Sequence, residues 1–186
     1  MKGLLKTIKE IVEKRIPEHG THGFEHTERV YGLCTILGEQ TGADMSILLP
    51  AALLHDIARG EPDHAVAGSK IAFEILNGLG YDPDKIEVIC DAISTHSFSG
   101  GKRPQRLEGK ILSDTDKLDA MGAVGVYRAA MYSGELCKSQ KDFVAHFHEK
   151  LLTLQELMFT DLARAIAEER HVYMINYLKE LDKELS

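Results

Sequence analysis

Four stretches of the chain set a histidine at the margin of an apolar helical face: His26, His55 with Asp56 beside it, His64, and His96. A fifth, LSDTDKLDAMG, carries Asp114, Asp116 and Asp119. A single histidine in such a place is ordinarily a hydrogen-bonded core residue. An aspartate inside the apolar run AALLHDIA is harder to accommodate, because an unpaired buried carboxylate is costly and is rarely left without a cation. Arg29, Arg59 and Lys117 are the basic residues nearest in sequence, and pairing them with the acids leaves the imidazoles unexplained. A divalent cation neutralises carboxylates and accepts neutral imidazoles together, so one ion accounts for the whole set.

The elements that must position these residues are helices. Apolar residues return at helical spacing almost throughout and alternating β-branched runs are absent, so the expected fold class is all-α. Leu5, Ile8 and Val12 give a face to a first helix that breaks between Pro17 and Gly20, and a second runs from about residue 23 to Gly42. The third follows Asp44 and contains Pro50, where a kink or restart is expected. Asp63 reads as the cap of a fourth helix ended by Gly80, and Asp82-Pro83 as the cap and first turn of a fifth. The irregular segment SFSGGKRPQRLEG holds Lys102, Arg103 and Arg106, and helical spacing resumes at KILSD. The pattern Ser139-x-x-Asp142 opens helix that continues through Met158, and a last helix runs from Thr160 to the carboxyl end.

With 186 residues the chain suits one domain. Its three cysteines are scattered and lack C-x-x-C spacing, which points to a reducing cytoplasm rather than a disulfide framework or thiolate zinc site. The first residues lack an apolar leader-like run, and the stretch MSILLPAALL falls short of the roughly 20 residues that span a bilayer, so no membrane partner is expected. An excess of 29 acidic over 22 basic side chains, net charge -7, disfavours polymeric nucleic acid as a partner.

The ordered set of His26 in HGFEHTERV, the doublet in AALLHDIA and Asp116 in DTDKLDAMG resembles the H…HD…D signature of the HD-domain metal-dependent phosphohydrolase superfamily. HAVAGSKIAFEIL, AISTHS, ILSDTDKLDAMGAVGVYRA and HFHEKLLTL are similar, in the same order, to its small single-domain bacterial and archaeal branch, over roughly residues 20 to 180. The resemblance implies one helical domain, with a core motif region at about 20–135 and carboxyl-terminal helices at about 139–184. It implies that His26, His55, Asp56 and Asp116 bind a divalent ion, which the mixed donor set leaves open among manganese, iron, nickel, cobalt, zinc and magnesium.

His64 and His96 either add a second ion or act as general acid or phosphate-binding groups, so one or two ions per chain are expected. Asp56 or a neighbouring imidazole orients or deprotonates the water that attacks phosphorus. Lys117 is expected to bind phosphate or a carboxylate. Lys102 and Arg103 either bind substrate phosphate or belong to a solvated basic loop. His146, His148 and Lys150 match a pattern of the same branch, or are polar positions on an amphipathic helix. On the helix, Asp119 lies about 60° from Asp116 and is expected to accept a hydrogen bond from a ligand imidazole or from Lys117, whereas Asp114 lies about 200° from Asp116 and points elsewhere. The implied activity is hydrolysis of a phosphate ester or phosphoanhydride of a nucleotide or other small phosphorylated metabolite. Two other readings stand beside it: a slow metal- and nucleotide-binding regulatory module, and a di-iron oxygenase.

Overall fold

The computed structural model describes residues 2–97 and 101–186, and residues 98–100 of the expected irregular segment lie outside the described residues. Among the described residues there are nine α-helices and no strand, so the protein is all-α as the apolar spacing implies. Two compact units follow one another along the chain, Met1–Asp116 and Lys117–Ser186.

In the first unit, α1 (Lys2–Glu13), α2 (Phe24–Thr41), α4 (His64–Gly78) and α5 (Pro83–Thr95) all pack on α3 (Met45–Leu54). The reason lies in α3 itself: from Ile47 to Leu54 it carries no charge and every residue is buried, and a helix apolar all round belongs inside. Asp44 caps it by accepting from the Ser46 N–H at 2.8 Å. A kink or restart is expected at Pro50; the restart does not occur, since α3 continues through it as one helix. The Ser46 carbonyl, which a residue with an N–H at position 50 would have bonded, accepts the Tyr81 hydroxyl instead, so the missing donor leaves no orphan.

Asp82 caps α5 through the Asp84 N–H at 3.0 Å, with Pro83 in the first turn. Asp63 does not cap α4 as expected: its side chain makes no capping bond and its backbone is left-handed, φ 51°. The tight descent from α3 into α4 passes through Gly60 at φ 106° and uses Asp63 as a second left-handed turn residue, a conformation aspartate tolerates better than most. Helix α6 (Leu107–Asp119) starts before Lys110. Gly109 seats that earlier turn, since a Cβ there would lie 2.9 Å from Pro104 and 3.5 Å from the Ala92 backbone. The Ser113 hydroxyl then donates to the His96 carbonyl at 2.8 Å, and Thr115 meets the Cys34 thiol at 3.1 Å, tying α6 to the end of α5 and to α2.

The second unit begins with the last turn of α6 and contains α7 (Gly122–Glu135), α8 (Gln140–Glu149), a 3-10 helix (Leu151–Leu157) and α9 (Asp161–Leu185). Ser139 and Asp142 form the expected capping box. Helix through Met158 was expected as one element; α8 instead yields to the 3-10 helix, whose buried Leu151 and Leu154 sit at the three-residue spacing such a helix stacks on one side. The buried Phe147 packs against the part-exposed rings of Phe143 and Tyr177, with centroids 5.1 Å and 6.2 Å away. No helix among the described residues is long and apolar enough to cross a membrane.

Candidate metal centre

Six helix-borne or turn-borne residues of the first unit converge: His26 on α2, His55 just past the end of α3, Asp56 in the turn that follows, His64 opening α4, His96 just past the end of α5, and Asp116 on α6. Two of the imidazoles are aimed by the same device. His55 Nδ1 lies 2.8 Å from the Ala52 carbonyl, and His96 Nδ1 lies 2.6 Å from that of Ile93. A carbonyl oxygen only accepts, so Nδ1 carries the proton in each ring and Nε2 faces inward.

Around His26 Nε2 stand His55 Nε2 at 3.2 Å, Asp116 Oδ1 at 3.4 Å and Asp56 Oδ2 at 3.7 Å. One ring nitrogen brings at most one proton to those three lone-pair atoms. Asp56 Oδ2 is buried and makes no hydrogen bond, while His22 Nδ1 lies 3.7 Å and His55 Nε2 3.9 Å from it. Atoms bound about 2.1 Å from one ion stand about 3.0–3.4 Å from their nearest co-ligands in octahedral or tetrahedral arrangements. The spacing here is of that size or slightly wider. Three compact donor groups meet the requirement for holding a cation: His26, His55 and Asp116; His55, Asp56 and His96; and His22, His26 and Asp56. An unpartnered buried carboxylate oxygen facing converging imidazoles fits a divalent cation and fits little else.

The other oxygen of Asp56 looks toward a second set. Arg59 Nη1 is 3.4 Å from Asp56 Oδ1, His64 Nε2 3.7 Å and His96 Nε2 3.8 Å. Arg59 also reaches His64 Nε2 at 3.2 Å through Nη1 and His22 Nε2 at 2.8 Å through Nη2.

Burial pushes the His55 imidazolium down to about 4, against the pull of Asp56, so this ring is neutral at physiological pH. Burial lowers His64 too. Burial also works to lower His96, but the attraction of the nearby Asp56 and Asp116 carboxylates outweighs it and holds His96 above its ordinary value. For Asp56 and Asp116 burial favours the neutral acid. The neighbouring imidazoles, joined at Asp56 by Arg59, overcome it and keep both carboxyls well below the ordinary range. A neutral His55 beside ionised Asp56 and Asp116 is the protonation state a metal needs.

Of the residues singled out in the sequence, the structure brings together His26, His55, Asp56, His64, His96 and Asp116. Asp116, with 29% of its side chain exposed, forms the open side of the cluster, whereas Asp114 is fully buried. Lys102 lines a cavity of about 370 Å³ with Asp63, His64, Ser94 and Ser97, and Arg103 is exposed next to it in sequence. Lys117 and Asp119 belong to the second unit, where the Lys117 ammonium lies 5.2 Å from the Phe159 ring centroid and Arg128 donates to Asp119 at 2.8 Å. His146 is half-buried beside Tyr132, and His148 is exposed. Sequence reasoning did not select His22 or Arg59 as site residues. The available signals were the H-x-x-x-H spacing of His22 to His26 and the three-residue step from Asp56 to Arg59.

The fold and cluster thus define an all-helical protein with a His/Asp centre suited to a divalent cation. The HD domain family model matches residues 23–121, and the chain belongs to that family. It is 35% identical over 177 residues to YpgQ, an uncharacterized protein of Bacillus subtilis (strain 168), covering 90% of this chain and 86% of that one. The crystal structure of Bacillus subtilis YpgQ in complex with ADP is similar with a TM-score of 0.84 and 33% identity, covering 98% of this chain and 95% of that chain. An HD-superfamily hydrolase from Bacillus thuringiensis is similar at a TM-score of 0.78 and 32% identity, over 99% and 95% of the respective chains.

Proposed function

We propose that the protein is a metal-dependent phosphohydrolase that cleaves a phosphate ester or phosphoanhydride of a nucleotide. The observation that carries this reading is Asp56 Oδ2, a buried carboxylate oxygen that makes no hydrogen bond and is faced by His26, His55 and His22. His26, His55, Asp56 and Asp116 would hold the ion. A divalent cation held there supplies Lewis acidity and a water of lowered pKa at neutral pH.

The chain's own residues do the rest. Asp56 Oδ1 and the Nε2 atoms of His64 and His96 form a proton-handling set within 3.8 Å of one another's shared oxygen. His64, kept neutral by burial, is the better proton acceptor of the two imidazoles; His96, held above its ordinary value, is the better donor to a leaving oxygen. Arg59 and Lys102 bring positive charge to a phosphoryl group, Lys102 from the wall of the cavity that His64 also lines. Arg103 is assigned the same role from its neighbouring position, and Lys117 from its place directly after Asp116 in the sequence. Similarity to YpgQ, which has been crystallised with ADP, supports a nucleotide as the ligand class.

The test is metal analysis of the purified protein together with a panel of nucleotides and phosphate esters assayed with manganese, iron, nickel, cobalt, zinc and magnesium. Metal-dependent release of phosphate or pyrophosphate is expected. Metal and nucleotide binding without turnover would instead establish a regulatory module, and iron-dependent oxygen consumption an oxygenase.

A further inference from the structure

The cluster has two faces, divided by the carboxylate of Asp56. Oδ2 faces His22, His26 and His55, while Oδ1 faces His64, His96 and the Arg59 guanidinium. On the Oδ1 side the three approaching atoms lie at 3.4, 3.7 and 3.8 Å, and one of them already belongs to a cation. A bridging carboxylate with an imidazole set on each side is the donor pattern of a two-ion centre.

Arg59 uses the lone pairs such a second ion would need. A guanidinium only donates, so the imidazole nitrogens it meets, His64 Nε2 at 3.2 Å and His22 Nε2 at 2.8 Å, must present lone pairs to it. The same guanidinium faces Asp56 Oδ1. On the Oδ1 side the guanidinium takes the carboxylate oxygen and the His64 lone pair, two donors that an ion there would need, and its rigid fork carries a further bond to His22 without dehydrating an ion. Local backbone geometry fixes Arg59 there: its N–H donates to the Asp56 carbonyl at 2.9 Å, and Gly60 then turns the chain away at φ 106°. A divalent ion on the Oδ1 side would have to displace Arg59 from these bonds and tolerate its charge close by.

We propose that Arg59 is the resident occupant of the second cation position, so that this chain holds one divalent ion in a donor set with room for two. The inference rests on the metal-centre reading above and adds to it the stoichiometry and the residue that sets it. His22 shares in the device, because its bond to Nη2 anchors the end of the guanidinium that lies away from Asp56.

The experiment strips the full chain with a chelator and titrates it with Mn²⁺, reading bound metal by equilibrium dialysis and the pairing of ions by electron paramagnetic resonance. The wild-type chain is expected to take one Mn²⁺ with an uncoupled spectrum. Arg59→Gln is expected to take two per chain with the exchange-coupled spectrum of a close pair, and Arg59→Gln with His64→Asn to return to one. Two coupled ions in the wild type, or one ion in Arg59→Gln, would overturn the proposal while leaving the metal centre standing. No bound metal in the wild type would overturn both. Should Arg59→Gln not fold, Arg59→Ala replaces it: with no cation beside Asp56 Oδ1 a second ion is still expected, and its absence counts against the proposal.

Discussion

Two buried aspartates, one in each unit, meet opposite fates. Asp119 is 2% exposed and has its counter-ion built in, the equally enclosed Arg128 guanidinium at 2.8 Å. Asp56 is 3% exposed; Arg59 reaches its Oδ1 only at 3.4 Å, and its Oδ2 makes no hydrogen bond and faces ring nitrogens at 3.7–3.9 Å. An ion pair completed within the protein is a device of stability, since breaking it leaves an uncompensated charge. A carboxylate left incomplete is held ready for a cation from outside, and the fold bears its desolvation for the sake of binding. Burial alone therefore does not separate a structural aspartate from a functional one; a carboxylate oxygen left without a hydrogen bond does.

The largest expected effect tests the functional side. Asp56→Asn should abolish hydrolysis and remove bound metal, while leaving the chelator-treated protein within about 1 kcal/mol of wild type in denaturant unfolding, because the one ion pair it weakens, to Arg59, is long at 3.4 Å and the amide oxygen can still face that guanidinium. A loss of stability as large as that of an Asp119 variant would erase the contrast. Asp116→Asn should likewise strip the metal. Asp114→Asn should leave metal content nearly intact, since the structure turns Asp116 and not its fully buried neighbour toward His26. Metal titration of the two variants checks this directly.

On the structural side, Asp119→Ala should cost about 3–5 kcal/mol in urea unfolding whether or not metal is present, because Arg128 is left buried opposite a cavity. Replacing both partners, Asp119→Leu with Arg128→Met, should recover most of that loss. Recovery failing with the apolar pair would mean that Asp119 does more than neutralise Arg128.

A smaller effect separates the two regions by pH. His55 stays neutral in the folded protein down to about 4, whereas its unfolded side chain takes a proton near the ordinary 6.5. Between those values the unfolded state binds more protons, so the stability of chelator-treated protein should fall as pH drops from about 6.5 to about 4, by about 3 kcal/mol from this residue. His64, also lowered, acts in the same sense. His96, raised, acts in the opposite one, its contribution being complete below the unfolded value and lost as pH rises through its folded value, so the net slope is shallower. Unfolding midpoints of His96→Asn at pH 7 and 4.5 measure it without that opposing part; a flat profile there would show that His55 is protonated in the folded state.

The helices carrying the site were legible because their signals are local. Asp82-Pro83 and Ser139-x-x-Asp142 name their own caps, and the all-apolar run of α3 announces its burial. Asp63 misled for the converse reason: its residue type suits a cap, but the left-handed backbone is imposed by a turn beginning at Gly60. Pro50 continued a helix because a hydroxyl 31 positions further along the chain replaced its missing donor, which no local pattern contains. In the site, His26, His55, His64, His96 and Asp116 could be selected from residue type and order. His22 lies outside the regular part of α2 and Arg59 in an irregular turn, so neither shares a helical stripe with the others, and their meeting over Asp56 exists only in three dimensions. The Asp119 and Arg128 pair similarly spans a reversal at Gly122, where φ is 69°.

The burial of α3 on every side has a kinetic meaning. Its amide hydrogens have no shallow route to solvent, so those of Leu48, Leu49 and Ala51 to Leu54 should exchange only when the first unit opens as a whole, with Pro50 silent for want of an amide. His55 is fixed to that helix through the Ala52 carbonyl. Its imidazole is therefore anchored on the slowest-moving part of the unit, and the pace at which an ion enters or leaves falls to the turn that carries Asp56 and Arg59.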